Sequence, residues 1–157
     1  MWFFRKRKRK GDLSHQKFKP EARAVIHSRL KYFAPRCEVV YKRVAIRNTK
    51  RSWGSCSSLG NLNFNYKLLF MPPCLRDYII VHELCHLKEL NHSPRFWLEV
   101  ERVLPNYREH VTALRHMEKT HGTSLKAITD YTKNHNCLHC SNLSYTQNQQ
   151  NGFDTKG

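Results

Sequence analysis

Residues 79–97 read IIVHELCHLKELNHSPRFW, and the spacing of their histidines decides how the rest of the chain is read. At 3.6 residues per turn, His82 and His86 lie one above the other on a single helix face, so both imidazoles can reach one ion. Glu83, next to His82, can hold a water beside that ion, the role its position in a His-Glu-x-x-His pattern implies. A catalytic zinc ordinarily takes three protein ligands and leaves its fourth position to water, so a third donor is required. His92 is the leading candidate. Asn91 before it tolerates the left-handed conformation that ends a helix and turns the chain back. Ser93 and Pro94 then read as the N-cap and first position of a new helix. Glu89, Glu99 and Glu101 are the other candidates for the third position.

The interval from His86 to His92 matches the longer three-histidine pattern of metzincins, with Glu89 where those proteins have a glycine. Upstream, Met71, Pro72 and Pro73 start the histidine helix, with Asp77 near its positive end. Ile79, Ile80, Val81, Leu84, Leu87 and Leu90 make that helix apolar on most sides, which predicts burial at the centre of the domain. Before it, residues 61–70 alternate. Leu62, Phe64, Tyr66, Leu68 and Phe70 face one way, and Asn61, Asn63, Asn65 and Lys67 the other, the pattern of a strand with one wet face. At a sheet edge beside the metal, such a strand could pair with an extended peptide.

Residues 48–60 have the Ser, Asn and Gly content of a loop, with Trp53 as its anchor to the core and Cys56 as a further conceivable ligand. Residues 37–47 are rich in Val, Tyr and Ile and predict one or two strands, with a turn or bulge at Lys42 and Arg43. A helix is predicted from Pro20, on Ala22, Val25, Ile26, Leu30 and Phe33, and Pro35 is expected to stop it. Downstream, Phe96, Trp97 and Val100 belong to a helix from Pro94 to about Val103. Tyr107, Val111, Leu114 and Met117 belong to one from about Asn106 to Lys119. Tyr107, Arg108 and His110 are conceivable charge stabilisers at the site.

The chain has 157 residues, enough for one domain with tails. Its 28 Lys and Arg against 12 Asp and Glu give a formal charge of +16, which suits an acidic partner, nucleic acid or a nucleotide foremost. No stretch has the length and apolarity of a signal peptide or a membrane span. Six scattered cysteines fit reduced thiols better than a disulfide framework. A cytoplasmic address is therefore expected, or a nuclear one if the run from Arg5 to Lys10 serves as an import signal.

Residues 1–19 read as a flexible basic arm, 20–119 as the folded domain, and 120–157 as a polar, disordered tail. Cys137 and Cys140, with His135 and His139 nearby, form a lone CxxC that would be a second metal site only with further ligands.

RSWGSCSSLGNLNFNYKLLFMPP followed by VHELCHLKELNHSPRFW resembles the YgjP-like, or WLM-type, metallopeptidase domain, related to SprT-like proteases. The resemblance covers about residues 20–119. It implies an α+β, zincin-like fold: a small, mostly antiparallel sheet packed on a central active-site helix, with flanking helices. It also implies one catalytic zinc held by His82, His86 and His92, with Glu83 as acid and base in peptide-bond hydrolysis. Family members often carry an N-terminal β-rich region, so a short form is expected. Two other functions are compatible with the same residues. One is a nucleotide pyrophosphatase of the same family, and the other a nucleic-acid-associated module with a structural zinc.

Overall fold

The computed structural model describes residues 12–134. The basic run from Arg5 to Lys10 and the cluster of His135, Cys137, His139 and Cys140 lie outside the described residues. The first helix, α1 (Asp12–Cys37), is followed by β1 (Arg43–Arg47), β2 (Gly54–Cys56) and β3 (Asn61–Asn65), then a 3-10 turn over Tyr66–Phe70. Four helices complete the domain: α2 (Pro73–Cys85), α3 (Pro94–Val103), α4 (Tyr107–Thr120) and α5 (Leu125–Asn134). The architecture is α+β, with a small sheet against a helix-rich body.

The sheet order is β1-β3-β2, with β3 parallel to β1 and antiparallel to β2. The sheet is thus mixed, where a mostly antiparallel one was expected. β3 lies in its centre, so the edge position at which residues 61–65 could have paired with a peptide is not theirs; β1 and β2 are the edge strands. A tight turn joins β2 to β3, with Gly60 at φ +81° and its N–H bonded to the Ser57 carbonyl at 2.9 Å. The register alternates cleanly: Val44 and Ile46 stand beside Leu62 and Phe64, and Arg43 and Arg47 beside Asn61 and Asn65.

The expected burial of Leu62, Phe64, Tyr66 and Leu68 is found, but strand geometry stops at Asn65. Asn65 is itself buried rather than wet, because its side chain organises the chain around it. Its Nδ2 donates to the carbonyls of Thr49 (2.8 Å) and Ser52 (3.2 Å), and its Oδ1 accepts from the N–H of Lys67 at 3.2 Å. The loop before β2 is therefore clamped to the start of the 3-10 turn. Trp53 in that loop anchors it as expected, donating Nε1–H to Glu118 at 2.6 Å.

Both ends of the folded region extend further than residues 20–119. α1 begins at Asp12 and continues through Pro20 and Pro35 to Cys37. Its early turns are held by tertiary contacts, with Phe18 edge-on to Phe70 (4.9 Å) and His15 to Tyr66 (5.3 Å). α5 falls in the expected tail and packs back on the same turn. Ile128 and Tyr131 are buried, and the Thr132 hydroxyl donates to the Phe70 carbonyl at 2.9 Å.

α2 sits at the centre of this arrangement, buried along nearly its whole length. Asp77 does not serve its N-terminus as expected. Both its oxygens instead accept from Arg29 of α1, at 2.8 and 2.7 Å. Leu90, expected to be buried with α2, lies beyond the helix end and is exposed. Among the described residues no helix is long and apolar enough to cross a membrane.

Candidate metal centre

α2 carries His82 and Glu83, and His86 caps it with helical backbone angles (φ −64°, ψ −17°), so the two histidines keep the one-turn relation their spacing implies. The chain then reverses through tight turns, with N–H bonds from Leu87 to Leu84 and from Lys88 and Glu89 to Cys85. Asn91 takes no part in a left-handed cap. Among the described non-glycine residues only Glu38 has a positive φ. α3 restarts as expected, with Ser93 as N-cap accepting from the Phe96 N–H at 3.3 Å and Pro94 in the first position.

The reversal brings His92 back to the other two imidazoles. Nε2 of His82 lies 3.2 Å from Nε2 of His86 and 3.0 Å from Nε2 of His92. These three residues form the one group of possible metal donors found among the described residues. Nitrogens bound tetrahedrally at 2.0–2.1 Å stand about 3.4 Å apart, so the cluster needs to open by only a few tenths of an ångström to admit a zinc ion.

The tautomers fit as well. A carbonyl can only accept, so Nδ1–H of His86 donates to the Glu89 carbonyl at 2.9 Å and leaves the Nε2 lone pair facing the cluster. His82 turns its Nδ1 towards the Tyr78 hydroxyl at 3.4 Å. Burial, reinforced by His86 and His92, pushes His82 down to about 3, so it stays neutral as a ligand must. Burial likewise lowers His86. His82 and His86 thus favour the protonation state that binds cations.

Aromatic rings fix the three imidazoles. Phe96, fully buried, stacks on His86 at 4.4 Å and meets His82 and His92 edge-on, each at 4.9 Å. Trp97 lies over His92 (5.8 Å) and stacks in turn on Tyr107 (5.3 Å). Phe96 and Trp97 do pack inward, and what they pack against is the cluster itself.

Glu83 is buried against β2, and burial lifts its carboxyl to about 7. Its neighbour is Gly54. A Cβ placed there would stand 2.7 Å from Glu83 Cγ and 2.8 Å from Oε1, so only glycine leaves room for the carboxyl.

The rival donors stand elsewhere. Glu99 pairs with Lys88 (2.9 Å) and Arg102 (3.2 Å), Glu89 contributes its carbonyl to His86, and Glu101 is outside the cluster. Cys56 is a free thiol held up at about 11 by burial and then by Glu83, and it is not among the clustered donors. Tyr107, Arg108 and His110 also lie outside it. Arg108 donates to the Tyr107 hydroxyl at 3.3 Å, and His110 is buried 6.3 Å from the Tyr78 ring. Sequence reasoning missed Tyr78 and Gly54. The first was findable four residues before His82 on the same helix face, whereas nothing local links Gly54 to Glu83.

Comparison with known proteins bears on the family and the fold. The fold is similar to the crystal structure of the metallopeptidase zymogen of Pyrococcus abyssi abylysin. The TM-score is 0.52, at 30% identity, covering 60% of this chain and 94% of that one. Among curated proteins nothing matches. The family model described as YgjP-like, metallopeptidase domain, matches residues 5–117, and the chain accordingly belongs to the YgjP-like metallopeptidase family of metal-dependent peptidases.

Proposed function

We propose that the chain is a zinc-dependent peptidase in which His82, His86 and His92 hold the ion and Glu83 is the general base. The observation that carries this reading is the convergence of three imidazole Nε2 atoms within metal-binding reach of one another. With only three donors in the group among the described residues, a fourth position is left for water or substrate, which argues for a catalytic over a structural ion.

When bound, the ion supplies Lewis-acid polarisation of a substrate carbonyl and acidifies a water. Glu83 does the proton work. A carboxyl lifted to about 7 is poised near neutral pH both to accept a proton from water and to return it to the leaving amine. The hydrogen bond from His86 to the Glu89 carbonyl, and the packing of Phe96 and Trp97, keep the imidazoles aimed. β2 is an edge strand that pairs with β3 on one side only, and its Gly54 lies against Glu83, so an extended peptide has a backbone edge to join on the strand that carries the base's neighbour.

The test compares wild type, Glu83→Gln and His86→Ala proteins for zinc content and for cleavage of casein, DNA-bound protein and nucleoside triphosphates. About one zinc per chain is expected in wild type and Glu83→Gln and much less in His86→Ala. Proteolysis should fall at least about 100-fold in Glu83→Gln. Equal zinc in His86→Ala would reject the site. Glu83-dependent cleavage confined to triphosphates would replace the peptidase reading with a pyrophosphatase one.

A further inference from the structure

A groove leaves the histidine cluster along α4. Its first part, about 420 Å³, adjoins His82 and His92 and takes its apolar lining from Trp97, Val111 and Leu114. Its continuation, about 310 Å³, shares Trp97, Val111 and Arg115 and runs on to Tyr107 and Arg108. The two arginines are seven residues apart, hence on one helix face about 10 Å from each other, the span of roughly three residues of extended chain.

Their charges are differently occupied. Arg108 is exposed and rests on the Tyr107 hydroxyl at 3.3 Å. Arg115 is exposed beside the metal ligands and has no ion pair among the described residues. The carboxylate lining the same space, Glu118, accepts the indole N–H of Trp53 at 2.6 Å and forms no ion pair with Arg115. A guanidinium at an apolar slot, next to the reacting centre and not ion-paired among the described residues, matches an anion on the ligand that fills the slot. Its planar fork suits a carboxylate.

Resting on the peptidase reading above, we propose that this groove binds an acidic stretch of the substrate peptide, with Arg115 pairing to a carboxylate next to the scissile bond. Arg108 meets a second carboxylate further along. The carboxylate at Arg115 is either an Asp or Glu side chain or the terminus of the peptide. The chemistry is the same, and the substrate series below separates the two.

The experiment uses the zinc-loaded full chain and matched quenched peptides carrying Glu, Gln or Lys beside the cleaved bond, each with a free or an amidated C-terminus. Wild type should prefer Glu over Gln by about tenfold in kcat/KM, chiefly through KM. Arg115→Ala should bring that ratio to about one, and Arg115→Glu should turn the preference to Lys. Such a change of charge preference is not expected of a residue that only supports the fold. A preference that follows the free C-terminus rather than Glu assigns the carboxylate to the chain end. No preference in wild type, or a preference surviving in Arg115→Ala, overturns the proposal.

A second measurement needs no turnover: fluorescence anisotropy of the same peptides on Glu83→Gln protein, with inorganic pyrophosphate as competitor. Charge-selective binding that requires Arg115, in a wild type that cleaves nothing, keeps the groove and sinks the peptidase assignment. Cleavage without charge selection does the reverse. Displacement by pyrophosphate at concentrations well below those of the unlabelled acidic peptide reassigns Arg115 to a phosphate ligand.

Discussion

Glu83 and Gly54 show how one residue's chemistry depends on what another lacks. The carboxyl sits near 7 because it is buried, and it can be buried there because position 54 has no side chain. Gly54 has no positive φ, so its backbone alone would tolerate alanine, and the restriction is one of space. Gly54→Ala is therefore expected to lower kcat/KM at least about tenfold by displacing the base, while zinc content stays at the wild-type level. Loss of zinc with activity would show that the glycine serves the fold instead. Tyr78 acts on the other side, through Nδ1 of His82 at 3.4 Å. Outer partners of metal-bound histidines are commonly worth about 10- to 100-fold in metal affinity. At this long distance Tyr78→Phe should cost about the lower figure, measured by competition with a chelator.

At the scale of elements, the end of α1 is the informative place. Glu38 stands at φ +57°, its N–H bonded to the Pro35 carbonyl and that of Val39 to the Ala34 carbonyl, each at 3.1 Å. This is the paired-bond C-terminal cap in which glycine is usual, because a Cβ in the left-handed region costs about 1–2 kcal/mol. The Glu38 carboxylate reaches Lys88 and Arg102 at 3.4 Å, but it is well exposed and those contacts are worth little. Glu38→Gly should accordingly raise the thermal midpoint, whereas Glu38→Ala, which keeps the strain and loses the ion pairs, should not. Equal midpoints for the two variants would argue that the cap is not strained. Pro35 thus weakens α1 without ending it; the turn at Glu38 does that.

For the whole molecule, the contact between α1 and α2 sets how firmly the helix of His82 and Glu83 is held. Its polar centre is the Arg29 pair with Asp77, whose carboxyl is buried. Removing the guanidinium leaves the buried Asp77 carboxylate with only its lesser partner charges, Arg76 among them, so Arg29→Met should destabilise the fold by about 3 kcal/mol. The pH dependence has a definite sign. Burial raises Asp77 while Arg29 pulls it down, so without the arginine the carboxyl rises further. A carboxyl whose folded pKa exceeds its unfolded value of about 3.9 binds more protons when folded, so stability falls as pH rises through that interval. The deficit of Arg29→Met should therefore be smaller at pH 4–5 than at pH 7 in denaturant titrations. A deficit unchanged between those pH values would show that the lost energy is packing on Tyr32 and Phe33, over whose rings Arg29 lies.

What the chain alone determined was local. The one-turn spacing of His82 and His86, the Ser93–Pro94 restart and the buried alternation from Leu62 to Leu68 all repeat within a few residues, so periodicity exposes them. What tertiary structure decided was everything that depends on distant partners. β1 pairs in parallel with β3, passing over β2 in sequence, which puts β3 in the centre with β1 and β2 at the edges, and Gly54 of β2 lies against Glu83. The reach of α1 back to Asp12, and the helix at residues 125–134, rest on Phe18, Ile128 and Thr132 meeting the 3-10 turn. In the first of those segments only Leu13 and Phe18 are apolar, too few to mark a helix, whereas Leu125, Ile128 and Tyr131 behind Ser124 are a short helical pattern set in a polar stretch. Their burial comes from a surface that exists only once the rest has folded.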